Sequence, residues 1–219
     1  MALIVRETGG KSAEPIPEGT YTAVCYGITD LGTHHNDTYD KDEHKVLVQW
    51  EVPDVLISVE RNGEMVDMPR AISRKYTMSL HEKASLRKDL EAWRGKRFTA
   101  TELEGFDISV VAGAACLMGI VHEKRHDGKG VYAAIASIMA LPKGAARPKP
   151  INPVVVWEIP DGSNGQFEIP STFPTWIAEK VMESMEYSGK MPVPFSDSEP
   201  APEHADDTAI PADDEALPF

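Results

Sequence analysis

The sequence predicts a mainly β fold of the α+β class, built as a five-stranded barrel with one capping helix. Two observations favour this fold. Segments in which apolar and polar residues alternate, rich in β-branched and aromatic types, recur between residues 19 and 141. One segment instead spaces Leu86, Leu90 and Trp93 at helical intervals, on a single face. The length of 219 residues suits one domain with a small appendage.

Four strands are expected before the helix. The first alternates from Thr20 to Ile28, and a polar loop over 32–44 separates it from the second. Asn62-Gly63 tolerates positive φ at both central turn positions, so it predicts a tight hairpin ahead of the fourth strand. The expected ranges are 19–30, 45–52, 56–60 and about 65–78, the last being strongest over 70–77.

The helix is expected over 80–94. Ser79 and Glu82 have the spacing of a capping box, and Gly95 is a suitable C-cap. Two further strands are expected over 114–123 and 131–141. This order, with the helix ahead of the last two strands, is typical of an OB-like barrel, although other α+β arrangements fit the same pattern.

Composition divides the chain into four regions. Residues 1–18 are polar with several Gly and Pro, which predicts a flexible arm, and residues 19–142 form the OB-like body. Residues 143–189 follow as a basic linker with a small appendage: a hairpin (154–157 and 167–169) and a short helix ending near Gly189. Residues 190–219 are acidic, Pro-rich and poor in bulky apolar side chains, so this tail is expected to be disordered.

The negative charge is concentrated at the C-terminus. The formal net charge is −13 at pH 7. Eight of the 35 acidic residues lie between 197 and 219, where there is no Lys or Arg, so the remainder carries 27 acidic against 22 basic residues. A body this close to neutral can still carry a basic groove, because binding depends on the local potential.

Compartment signals are few. No segment approaches the ~20 apolar residues of a membrane span, and the N-terminus lacks the pattern of a secretory signal. Cys25 and Cys116 lie in apolar, strand-like runs, which predicts buried reduced thiols rather than a disulfide framework. We therefore expect a cytoplasmic protein that does not bind membranes.

The C-terminal tip has the chemistry of a docking peptide. Phe219 joins a ring and the terminal carboxylate on one residue, so a partner can bind it in an apolar pocket beside a cation. The residues expected to dock are Asp213, Asp214, Glu215, Leu217, Pro218 and Phe219. A tail that only improves solubility would need the charges but not the apolar end.

This tip resembles that of bacterial and bacteriophage single-stranded DNA-binding proteins, which end in an acidic tail with a terminal Pro-Phe or Phe. Ala216 and Leu217 replace the usual third acidic residue and Ile. The resemblance implies recruitment of replication, recombination and repair proteins, and competition of the tail with DNA for the groove. The body also resembles phage proteins from replication regions over 21–32, 74–95 and 105–142, which implies single-stranded DNA binding in the host cytoplasm.

Binding without sequence preference needs cations for phosphates and aromatic faces for bases. Arg70, Arg74 and Tyr76 share one strand face. The candidate DNA-binding residues are Arg70, Arg74, Lys75, Tyr76, Lys83, Arg87, Lys124, Arg125, Lys129 and Tyr132. The same pattern also fits a salt-bridged strand face with Tyr76 partly in the core, a solvated hairpin around residue 125, and Tyr132 packed inside.

Nothing in the sequence indicates an enzyme, and we expect no catalytic residue, cofactor or metal ion. The loop from His34 to His44 is rich in His and Asp, but its spacing matches no zinc or EF-hand motif. Scattered carboxylates leave a metal-dependent nuclease open. The alternative function is a non-enzymatic adaptor or DNA mimic that binds replication or recombination proteins. The sequence does not decide between a monomer and a homo-oligomer.

Overall fold

A curled antiparallel sheet forms most of the protein. The computed structural model describes residues 14–61, 63–125, 128 and 130–191. The five main strands lie in the order β3-β2-β1-β4-β5, and a short sixth strand pairs with β1 in parallel. The strands are β1 (Gly19–Asn36), β2 (Lys41–Arg61), β3 (Glu64–Thr77), β4 (Ala115–Lys124), β5 (Val131–Met139) and β6 (Val155–Trp157).

Few and short helices accompany the sheet. They are α1 (Ser85–Arg94), α2 (Ala100–Glu104), α3 (Thr175–Met182) and α4 (Met185–Ser188), with one 3₁₀ turn at Ile108–Val111. The sequence prediction of a mainly β fold with a helix between the third and fourth long strands is therefore confirmed. Among the described residues, no helix is long and apolar enough to cross a membrane.

The concave face of the sheet holds the main core. Val46, Val48 and Trp50 alternate along β2 into this core, and α1 covers it with Leu86, Leu90 and Trp93. The rings of Trp50 and Trp93 lie 5.7 Å apart. Both tryptophans are core residues, as is expected from their positions in the strand and helix patterns. Cys25 and Cys116 are buried free thiols there, and burial raises the pKa of each to about 12.

The strands are longer than the sequence predicts. The expected loop over 32–44 is instead the outer half of a hairpin, with β1 reaching Asn36 and β2 starting at Lys41. Polar side chains here hid the strand signal, because ladder hydrogen bonds join the backbones whatever the side chains are. Likewise, β2 continues across the gap expected after Val52, by a bulge between Val52 and Leu56.

Helix α1 starts later than predicted. Its N-cap is Ala84, and the oxygen of Ser79 accepts a hydrogen bond from the His81 N–H at 3.2 Å, so the expected capping box is not formed. Gly95 does end the helix, in the left-handed conformation with φ 66°. A true capping box occurs further on, where Thr99 and Glu102 begin α2 in a segment expected only to connect.

The C-terminal appendage packs on the convex face of the sheet. Leu31 and Leu47 of the sheet form a second core with Ile177 and Val181 of α3. The expected hairpin is wrong, because 155–157 pairs with β1 and residues 167–169 form no strand. The expected single helix is two short ones, since Ser184 interrupts it, but it ends at Gly189 as predicted.

Candidate nucleic-acid interface

A groove of about 450 Å³ lies between β3 and β5, the two edge strands of the curled sheet. Three of the DNA-binding candidates line it: Arg70 from β3, Arg125 from the turn after β4, and Tyr132 from β5. Its third wall is the segment from Glu14 to Ile16. The curl of the sheet is what brings these residues together, because they are far apart in sequence.

The cations of the groove are positioned by backbone contacts. An Arg70 guanidinium nitrogen donates to the backbone carbonyl of Glu14 at 2.5 Å. The backbone N–H of Arg125 donates to the Gly130 carbonyl at 3.1 Å, which shapes the turn. In the described part of the chain, no carboxylate is within ion-pairing distance of either arginine. Within the described residues, neither charge is neutralised by a carboxylate, although Arg70 keeps its hydrogen bond to the Glu14 carbonyl.

Tyr132 presents an aromatic ring at the mouth of the groove. Its side chain is 40% exposed. Its hydroxyl donates to a Glu123 carboxylate oxygen at 2.7 Å, directly across the β4–β5 ladder. That hydrogen bond raises the pKa of Tyr132 above its ordinary value. A ring held this way at its far end leaves a face on which a base can stack.

The N-terminal wall is tied to β4. The His122 backbone N–H donates to the Glu18 carboxylate at 2.8 Å, and its ring nitrogen lies 2.8 Å from the Ile16 carbonyl. Ile16 itself is buried in the main core. Residues 14–18 of the flexible arm expected over 1–18 are therefore packed against the sheet, whereas residues 1–13 lie outside the described residues.

Arg74 and Tyr76 do not line the groove. Arg74 donates to Asp89 of α1 at 2.9 Å and to the Ile135 carbonyl of β5, so it bridges the two edge strands. The Tyr76 hydroxyl donates to the same Asp89 oxygen at 2.7 Å, and the residue is only 3% exposed. Burial raises the pKa of the Tyr76 hydroxyl above its ordinary value. The expected base-stacking role of Tyr76 does not fit this burial, and the alternative of a ring in the core is the one observed.

The other candidates are spread over different surfaces. Lys75 lies on the convex face, in a separate cavity of about 440 Å³ with Lys45 and Lys180. Arg87 is held by Glu91 at 3.1 Å and by the Leu80 carbonyl at 3.0 Å. Lys83 is exposed in the turn before α1, and Lys124 ends β4 beside Arg125. Lys129 and the tail from Asp213 to Phe219 lie outside the described residues.

The appendage covers the part of the convex face of β1 and β2 around Glu51 and Leu47. Glu51 is fully buried there, and its carboxylate accepts from the Ile151 N–H, the Asn152 N–H (2.9 Å) and the Asn152 side-chain amide (2.6 Å). Sequence reasoning missed this residue. The available signal was a carboxylate set between Trp50 and Val52 in a strand, which requires a partner wherever both faces are covered.

A second polar anchor joins α4 to the hairpin of β1 and β2. Glu186 accepts from the Thr33 N–H at 2.8 Å and from its hydroxyl at 2.7 Å. His44 lies between Asp30 (2.6 Å) and Glu186 (3.7 Å). The hydrogen bond to Asp30 raises the pKa of His44. Burial opposes ionisation of Glu186, but its bonds from Thr33 outweigh burial and lower its pKa.

The His- and Asp-rich stretch at the hairpin tip is ordered by its own side chains. His35 lies 2.8 Å from Asp42, its partner across the ladder. Across the described ranges, no group of three or more His, Cys, Asp or Glu side chains is arranged to hold a metal ion.

Comparison with known proteins adds no identification. No protein-family model, curated protein or solved structure matches this chain.

Proposed function

We propose that this protein binds single-stranded DNA without sequence preference, in the groove between β3 and β5 of an OB-like barrel. The observation that carries the proposal is the convergence of Arg70, Arg125 and Tyr132 on one groove. Two cations that have no carboxylate partner among the described residues, beside an exposed ring, are the combination that phosphates and unstacked bases require.

The arrangement of strands supports the OB-like part of the proposal. β1 pairs with both β2 and β4, and α1 stands between β3 and β4. β3 and β5 approach each other, with Arg74 bridging them. In an OB-fold the barrel closes between these same strands, so the observed half-barrel has the corresponding order.

The covered convex face supports the location. Leu31 and Leu47 are buried under α3, and Glu51 is buried under the 150–152 segment. A strand of DNA crossing β1 and β2 would have to displace this cover. The groove between the edge strands needs no such displacement.

The acidic tail extends the proposal to partner proteins. It resembles the tails of bacterial and phage single-stranded DNA-binding proteins, so we assign it recruitment of phage or host replication and recombination proteins. Its carboxylates also suit competition with DNA for Arg70 and Arg125.

The decisive experiment compares binding to oligo-dT with binding to duplex of equal length, by tyrosine and tryptophan fluorescence, at low and high salt. Expected is salt-sensitive binding to the single strand alone. The double variant Arg70→Ala/Arg125→Ala should lose about tenfold or more in affinity. It should also lower the slope of log K against log salt by about 0.7 for each contact removed.

The matched control is Lys143→Ala/Lys190→Ala, which removes two exposed positive charges outside the groove. It should leave the affinity and the salt slope almost unchanged. A chain lacking residues 205–219 should bind DNA more tightly at low salt if the tail competes. Absence of binding in both the full and the tail-deleted chain would refute DNA binding and favour the adaptor.

A further inference from the structure

The two edge strands of the curled sheet are not joined to each other by a ladder. β3 and β5 lie at opposite ends of the strand order, and no ladder pairs them in the described part of the chain. The groove occupies one stretch of this gap, between Arg70–Ile72 of β3 and Val131–Ala133 of β5. Two residues further along both strands, the side chain of Arg74 crosses the gap to Ile135. The groove therefore ends where Arg74 bridges its two walls.

The bridge uses both terminal nitrogens of Arg74. Nη2 donates to the backbone carbonyl of Ile135, and Nη1 donates to Oδ2 of Asp89 on α1 at 2.9 Å. Asp89 is itself held in place, because the same oxygen accepts from the Tyr76 hydroxyl at 2.7 Å. The side chains of Arg74 and Asp89 are 31% and 22% exposed, so solvent only partly screens their ion pair. One guanidinium thus ties β3, β5 and α1 together.

This arrangement requires the guanidinium fork. Two N–H groups in a fixed planar geometry reach two acceptors that belong to different elements. A lysine keeps the charge but offers one nitrogen on a flexible stem, so it holds the two acceptors less firmly. Arg70 and Arg125 have no carboxylate partner among the described residues, whereas Arg74 has both terminal nitrogens bonded within the protein. The charge of Arg74 therefore acts on the fold and not on a phosphate.

We propose that Arg74 is a positioning residue: fixed by Asp89, it holds β3 and β5 at the spacing that places Arg70 and Tyr132 on facing walls of the groove. Loosening the bridge keeps both groove residues in the chain but misaligns them. Affinity then falls, because a ligand must reorder its own site. The part of the proposal that concerns DNA rests on the proposed function, whereas the spacing of the strands does not.

The strand spacing is measured without DNA, by electron paramagnetic resonance of spin labels at Ser73→Cys and Ala136→Cys. Both positions are exposed, and they adjoin Arg74 and Ile135 in the sequence. The two native cysteines are buried free thiols with raised pKa values, so they react little with the label. The distance distribution should be narrow when Arg74 is intact. Arg74→Ala should broaden it and lengthen its mean.

Two further variants separate the bridge from a general loss of folding, which near-UV circular dichroism monitors. Asp89→Ala removes an acceptor of Arg74, so it should widen the gap as Arg74→Ala does. Tyr76→Phe is the matched control, because it removes another hydrogen bond to the same Asp89 oxygen but leaves Arg74 with both acceptors. It should keep the narrow distribution. An unchanged distribution in Arg74→Ala, or equal widening in Tyr76→Phe, would overturn the proposal.

The affinity for oligo-dT then distinguishes positioning from direct contact. A phosphate contact at Arg74 predicts that Arg74→Lys, which keeps the charge, retains affinity. It also predicts that Asp89→Ala, which removes a neighbouring negative charge, binds more tightly. Positioning predicts that both variants bind about tenfold more weakly, whereas Tyr76→Phe binds as the unchanged chain does.

Tighter binding by Asp89→Ala, or full affinity in Arg74→Lys, would overturn the positioning role. Failure of the unchanged chain to bind oligo-dT would instead refute the proposed function. The distance measurement would still decide whether Arg74 sets the spacing of the two strands.

Discussion

The convex face of the sheet and the groove between its edge strands are built by opposite rules. On the convex face, Glu51 and Glu186 have their oxygens occupied and the apolar residues beside them are covered. In the groove, Arg70 and Arg125 have no carboxylate partner among the described residues, and Tyr132 is 40% exposed. A fully satisfied polar group stabilises a fold, whereas an unsatisfied exposed one is available to a ligand. Substitutions on the convex face should therefore cost stability, and those in the groove should cost affinity.

The largest effect is expected at Gly32, where β1 and the appendage approach closely. A Cβ added there would lie 2.5 Å from the Cβ of Ser184, and φ is +77°. Gly32→Ala should lower the free energy of unfolding by about 3 kcal/mol, from left-handed backbone strain together with overpacking. Urea denaturation measures this loss in the free energy of unfolding. Gly63→Ala is the control, because φ there is +84° but nothing lies within 4 Å. Equal losses in both variants would mean that the close approach contributes nothing.

Glu51→Ala should come next, at about 3 kcal/mol or somewhat less. The substitution leaves the donors of Ile151 and Asn152 buried without an acceptor. Loss of the 150–152 contact should also expose the linker to protease before the sheet unfolds. Glu60→Ala, at an exposed position of the same strand, should change stability by less than about 0.5 kcal/mol. Unchanged protease resistance in Glu51→Ala would contradict this role of the carboxylate.

A smaller effect is expected from pH at His44. Because its pKa is raised in the fold, the stabilisation is complete below the ordinary histidine pKa and is lost as pH rises through the raised value. The facing groups are Asp30 and Glu186, with the Thr33 hydroxyl at 3.2 Å. His44 is partly exposed, so solvent screening keeps the loss to about 1 kcal/mol. Hydrogen exchange in α4 should increase with pH beyond the intrinsic rate, and His44→Gln should remove that extra dependence.

The smallest change in stability is expected at Tyr132. Tyr132→Phe removes the hydrogen bond to Glu123 but keeps the ring. The free energy of unfolding and the affinity for oligo-dT should therefore stay near those of the unchanged protein. Tyr132→Ala should leave folding intact and weaken binding about tenfold, since a stacking face is lost. Equal affinities for Phe and Ala at this position would show that the ring does not contact the bases.

Sequence reasoning was strongest where packing follows a simple period. The Leu86, Leu90 and Trp93 face and the Val46, Val48 and Trp50 alternation are both observed in the core. It was weakest where distant segments meet. Polar side chains hid the strand signal of the outer hairpin of β1 and β2. The buried carboxylates of Glu51 and Glu186 bond to partners about 100 or more residues away in the sequence. In the candidate site, periodicity placed Arg70 and Tyr132 on strands. It could not show that Arg74, on the same strand face as Arg70, is held by Asp89 and Ile135, because these partners belong to other elements.

The position of β1 has a consequence for synthesis. β1 pairs with β2, β4 and β6, so its two edges are completed by segments from three parts of the chain. The hairpin with β2 can form as soon as both strands leave the ribosome. The other edge of β1 is completed later, because Gly27–Thr29 has no strand partner until Val155–Trp157 has left the ribosome. A nascent chain with an unpaired apolar edge is open to misassembly. Emergence of Val155–Trp157, rather than hairpin formation, therefore sets the earliest moment at which both edges of β1 can be paired.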